Sequence, residues 1–285
     1  MFQMNEEEFA KIEEGCYWFT FPLFEEVPEV FPAPSGVNGL ALCDDAYVQR
    51  YLFCLIFGGF GIERDLQKAK IIATTRLFQV EKTKPRDTST SNPKFLEWIQ
   101  LFAKYNILLG TVFAYLGNYS IAAYLLLSGL KTRALNLFLP YCDFIAYILS
   151  RVEEIPAEDA EYEGCGFSAD LPMGGTDPDR GDLISNMAEL VISGLEGDDG
   201  EIVLAHRGSH SYGSITRLGS TASEKHRNCI DMYEVLVAKR DFTVKRVRFY
   251  FNGYFTRGNR SEVRLPRGFH LDPMSIAAEM LTPVR

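Results

Sequence analysis

Residue types able to do chemistry concentrate in the last third of this 285-residue chain. The stretch LAHRGSHSYGSITRLGSTAS runs from an apolar segment into His206 and Arg207, then through glycines and hydroxyls to Ser220. Glu262 follows, at the head of the short segment EVRLP. Such groups act together only if folding brings them to one cleft; otherwise the stretch is a strand-loop-strand with hydroxyl-rich turns. All four histidines (His206, His210, His226 and His270) lie here, and none forms a helical ligand pair, because a Gly-Ser break separates the first two. The six cysteines show no CxxC and no regular spacing, so they read as reduced, mostly buried thiols. The run DPDRGD could offer Asp177, Asp179 and Asp182 to a divalent cation. It lacks the central glycine and distal glutamate of a calcium loop, and reads as a solvated acidic turn. No GxSxG elbow is present. Neither a metal nor a cofactor is expected.

A second candidate is basic. In KRVRFYFNGYFTRGNRSEVRLPR, Lys245, Arg246, Arg248 and Arg264 interleave with aromatics, as a sheet face that stacks bases would require. The charge balance opposes this reading. The chain carries a formal net charge of −9, and fifteen acids against one base (Arg180) fill Glu153 to Glu201. Screening of that acidic segment by the basic one is the simpler explanation.

The elements that would position these residues change character along the chain. Four prolines in FPLFEEVPEVFPAPSGVNG forbid a long helix, so residues 1–44 are expected to form an extended arm. Asp44 or Asp45, Asp65 and Asn92 then stand as helix caps, with Pro93 opening a first turn. The corner GGFGIERDLQKAK, residues 58–70, lacks the Gly-Lys-Ser/Thr of a phosphate loop and follows a predicted helix, so it reads as the corner of a helical hairpin. Residues 105–130 are uncharged and long enough to span a bilayer, but LGNYS interrupts them with a predicted turn. Two packed helices are expected there, split at Gly117-Asn118. Beyond an acidic, Gly/Pro-rich linker over 153–182, runs rich in Val, Tyr and Phe predict strands, with a capped helix at Asp272-Pro273 closing the chain.

Leu52, Gly59, Gly61, Ile62, Asp65, Lys68 and Ala69 resemble the signature of a SEL-like repeat. Leu109, Gly110, Phe113, Gly117, Tyr119, Ala122 and Leu126 resemble a tetratricopeptide repeat. The resemblance implies a short α-helical repeat array over 45–152, packed through Gly59, Gly61, Asp65, Ala69, Gly110, Phe113, Tyr119 and Ala122. A small α+β domain with an antiparallel sheet is expected over 183–285. His206, Arg207, Ser220 and Glu262 faintly resemble ADP-ribosyltransferase elements, which would imply NAD binding and stabilisation of an oxocarbenium-like charge. The principal expectation is a cytoplasmic, non-enzymatic scaffold or adaptor whose helices bind a partner polypeptide. An NAD-using enzyme and a nucleic-acid binder are the alternatives.

Overall fold

The computed structural model describes residues 44–89, 91–131, 147–149, 151–152, 154–156, 162–177, 181–184, 187–204, 215–256, 260–273 and 275–284. The extended arm expected over 1–44 lies outside them, save Asp44. The chain divides into two compact units, Met1–Val152 and Glu153–Arg285.

The first unit is helical. Helix α1 (Asp45–Phe57) starts at Asp44, whose carboxylate accepts from the Tyr47 N–H at 2.7 Å. It stops where Gly58, Gly59, Phe60 and Gly61 all take positive φ, between 53° and 105°. Helix α2 (Leu66–Lys82) restarts at Asp65, which accepts from the Lys68 N–H at 2.9 Å. Helix α3 (Pro93–Tyr115) opens on Asn92 and Pro93, as its sequence predicts. Gly117, at φ 74°, turns the chain into helix α4 (Tyr119–Lys131). The uncharged stretch 105–130 is therefore two helices, and no helix among the described residues is long and apolar enough to cross a membrane.

The repeat array is not what the structure shows. The segment that opens at Asn92-Pro93 and the first of the two helices expected over 105–130 form one continuous 23-residue helix, α3, which packs against α1, α2 and α4. A central helix wrapped by unequal neighbours replaces a stack of similar hairpins. The physical reason is the absence of any breaker between Tyr105 and Leu109, so backbone hydrogen bonding carries straight through. Close packing occurs at one predicted glycine only in part of the pattern. A Cβ on Gly110 would sit 2.7 Å from Leu126 Cγ, whereas Gly59 and Gly61 have nothing within 4 Å and serve backbone conformation alone. Ala69 and Ala122 are fully buried, Phe113 and Tyr119 half-buried.

The second unit is a mixed sheet, correcting the antiparallel expectation. Its strands are β1 (Glu154–Pro156), β2 (Met173–Gly174), β3 (Asp182–Leu183), β4 (Leu195–Gly197), β5 (Ile202–Val203), β6 (Ile215–Thr221) and β7 (Ile230–Ala238). After them come β8 (Val244–Asn252), β9 (Tyr254–Phe255), β10 (Glu262–Arg264), β11 (Phe269–Leu271) and β12 (Thr282–Val284). Helices α5 (Met187–Ser193) and α6 (Ile276–Met280) complete it. The order β11-β4-β5-β7-β8-β2-β10-β12 holds the main sheet, with β6 against β7 and β1 against β8, while β3 pairs β9 separately. β1 and β2 run parallel to β8, and β10 runs parallel to β12. Along β7 and β8, Tyr233, Val235 and Val237 alternate inward with Val247, Phe249 and Phe251. Phe249 meets Phe269 edge-on at 5.6 Å. The closing helix is capped by Ser275, not Asp272.

The described residues of the acidic stretch 153–182 belong to this unit: β1 and β2 pair with β8, and β3 pairs with β9. The fully buried Asn252 side chain donates to the Gly175 carbonyl at 3.0 Å and to the Asp177 carbonyl at 2.8 Å, and accepts from the Tyr254 N–H. Two predictions follow from these contacts. Gly110→Val should lower the free energy of unfolding by about 1–3 kcal/mol through overpacking against α4. Asn252→Ala, which removes a buried donor from the Gly175 carbonyl and one of the two donors from the Asp177 carbonyl, should cost about 2–4 kcal/mol, against about 0.5 kcal/mol or less for exposed Met280→Ala. Urea denaturation of the three variants checks both.

Candidate functional site

The chemistry-bearing residues of the second unit are not gathered into one cleft among the described residues. His206 and Arg207 lie outside those residues. Ser220 sits on β6, where its hydroxyl donates to Asp231 Oδ1 at 2.6 Å and accepts from Arg217 at 2.8 Å. The turn expected there is this strand, with a bulge between Arg217 and Gly219. Glu262 heads β10, and β7, β8 and β2 stand between it and β6. At the usual inter-strand spacing that is about 19 Å along the sheet.

The basic run is divided as well. Register places Arg246 and Arg248 on one face of β8, and Lys245 opposite Val237 on the other. Glu234 lies across from Arg248 and accepts from Arg246 at 2.7 Å, so one of the two arginine charges on that face is paired within the sheet. Arg264 is on β10, near enough to act on the Cys165 thiol. Of the acidic turn, Asp182 pairs with Arg260 at 3.0 Å and the Asp177 carbonyl is taken by Asn228 and Asn252. Asp179 lies outside the described residues, among which no cluster of metal-ligating side chains forms. His270 lies 3.1 Å from Asp198 on the exposed surface.

The first unit holds an open recess of ≈ 750 Å³ at the α1–α2 corner. Its formation follows from local sequence. Tyr51 and Leu55, one turn apart on α1, supply one wall. The glycine corner swings Ile62 to Asp65 across the end of α1, and the Asp65 N–H fastens it by donating to the Leu55 carbonyl at 2.8 Å. Leu66, Gln67 and Lys68 from the first turn of α2 and Leu116 from the end of α3 complete the lining. The Arg64 guanidinium lies 4.2 Å from the centre of the Tyr115 ring, which helps to orient it. Lys68 Nζ donates to the Tyr51 hydroxyl at 2.7 Å. Glu63 and Asp65 balance these two cations, so the cleft combines an apolar floor with a neutral, hydrogen-bonding rim. It contains no nucleophile-base pair.

Gly61, Ile62, Asp65 and Lys68 carry the resemblance to a SEL-like repeat, whereas Tyr51, Arg64 and Leu116 belong to no sequence motif. The i, i+4 pair of Tyr51 and Leu55 signals one face of α1, but only the fold brings Leu116 to meet it. The chain matches no family model, no curated protein and no solved structure.

Titration and thiol chemistry test the local geometry. Burial pushes the Cys54 thiol up to about 11, and Cys229 is exposed. Cys229 should therefore react with a thiol reagent at neutral pH while Cys54 reacts only on unfolding. Mass-spectrometric labelling in native buffer and in denaturant reads this. Asp170 accepts from the Ser223 hydroxyl and the Glu224 N–H, which hold its carboxyl below the ordinary aspartate value. A depressed folded value contributes stability that is full above the unfolded value of about 3.9 and is lost as pH falls from there through the lower folded value. Asp170→Asn should flatten the stability profile between about pH 5 and 3, read by thermal melts. An unchanged acid limb would refute the clasp.

Proposed function

We propose that this is a non-enzymatic binding protein that receives a partner polypeptide in the cleft at the α1–α2 corner. The observation that carries the reading is the lining itself: Leu55, Ile62 and Leu116 beside two acids and two cations in balance. A polypeptide segment offers apolar side chains together with neutral backbone donors and acceptors, which such a recess complements. A polyanion would demand uncompensated cations instead. The second unit serves as a separate recognition surface. The compartment we assign is the cytoplasm, supported by the free thiols of Cys54, Cys165 and Cys229.

Selection of peptides of about 12 residues from a random library on the full chain tests this. Selected peptides should slow amide exchange over 61–68 and lose about tenfold in affinity on Gln67→Ala with Lys68→Ala. Protection confined to the second unit, or no selectable peptide, overturns the reading.

A further inference from the structure

Helix α2 carries a second feature that its own packing does not use. Its inner side is fully engaged, with Ala69, Ile72, Ala73, Leu77 and Val80 buried against the unit. The opposite side bears Gln67, Ile71, Thr74, Thr75 and Phe78, an uncharged stripe at helical spacing. Ile71 is 57% exposed and Phe78 55% exposed, where large apolar side chains on a working surface would ordinarily be covered. Seven residues separate them, two helical turns or about 10.5 Å along one straight face. That is the spacing an apposed amphipathic helix matches with anchors two turns apart.

The charges bordering the stripe say what kind of helix. Lys70 and Lys82 border the stripe, with Lys84 just beyond the helix, against one acid, Glu81; Lys68 is engaged by the Tyr51 hydroxyl, and Arg76 lies on the inner side, 4.0 Å from Asp45. Lys82 lies 4.0 Å from the Phe78 ring centre, Lys70 is 5.0 Å from that of Phe113, and Lys84 is 5.4 Å from that of Trp98. None of these three lysines pairs with a carboxylate among the described residues. They are held on aromatic rings, with hydrogen-bonding capacity left for an incoming group. Gln67 belongs both to the stripe and to the cleft lining, so the two surfaces are continuous.

We propose that the outer face of α2 docks an amphipathic helix of the partner polypeptide, its apolar side on Ile71 and Phe78 and its flanking carboxylates on Lys70, Lys82 and Lys84. The proposal rests on the polypeptide-binding reading and adds the partner's chemistry: acidic, helical, with apolar residues two turns apart. The charge pairs set orientation and rate of encounter, and the two apolar anchors supply affinity.

The test uses the full chain and two synthetic helices of about 18 residues that carry leucine at i, i+3, i+4 and i+7, one flanked by glutamate and the other by lysine. Fluorescence anisotropy should show the acidic helix binding at least about tenfold more tightly, with the difference shrinking in high salt. Ile71→Asp with Phe78→Asp should abolish binding, and Lys70→Glu with Lys82→Glu and Lys84→Glu should invert the preference; circular dichroism checks that both stay folded. A photoreactive phenylalanine at position 78 should crosslink to the acidic helix. Equal binding of both helices, indifference to the variants, or crosslinking to a second copy or within the same chain overturns the proposal. Failure of the acidic helix while cleft-selected peptides still bind sinks this inference alone and leaves the cleft reading standing.

Discussion

Backbone lies against backbone with no room for a Cβ, and both units depend on that constraint. In the helical unit Gly110 of α3 meets Leu126 of α4, and Gly129 of α4 meets the Ala103 carbonyl of α3, each at a distance a Cβ would close to 2.7–2.9 Å. The approach is reciprocal, one small residue on each helix, so the pair is held along its length. In the sheet unit a Cβ on Gly174 would lie 2.5 Å from the Asn252 carbonyl oxygen, and one on Gly175 or Gly181 would collide with the carbonyls of Tyr254 or Phe255. These contacts press the acidic stretch onto β8 and β9. Chains this close also satisfy each other's polar groups, through the ladder and through Asn252.

The helical unit couples this packing to its surface. Because α3 is enclosed by α1, α2 and α4, it can be apolar on nearly every side, and its aromatic residues reach the rim. Tyr115, Phe113 and Trp98 there receive Arg64, Lys70 and Lys84 from the α2 region. Cations fixed in this way lose little further freedom when a ligand arrives, and an arginine or lysine on a ring remains a donor. The same core that stabilises the unit therefore preorganises its cleft.

Local signals were legible and long-range ones were not. The caps at Asp44, Asp65 and Asn92, the corner at residues 58–61 and the break at Gly117 each depend on a few neighbouring residues, and the sequence states them directly. The repeat array was misread because a tetratricopeptide-like pattern of small and aromatic residues describes one helical pair, α3 with α4, and says nothing of how many pairs stack. The strands within 153–182 were missed for a different reason. They are two or three residues long and are held by main-chain hydrogen bonds, so they carry none of the side-chain alternation that marks β7 and β8. Of the cleft, Gly61, Ile62, Asp65 and Lys68 are legible in the sequence, and its far wall is not.

By itself the amino-acid sequence determined the starts of α1, α2 and α3, the breaks at residues 58–61 and Gly117, the alternation along β7 and β8, and the excess of cations on α2. Each is a property of residues within a few positions of one another, where sterics and hydrogen-bond geometry are local. Tertiary structure alone decided that the basic run divides between two faces, that β7, β8 and β2 separate Ser220 from Glu262, and that Leu116 closes the cleft opened by Tyr51. Those facts depend on strand order and helix apposition, which arise from the burial of the whole core rather than from any short stretch of chain.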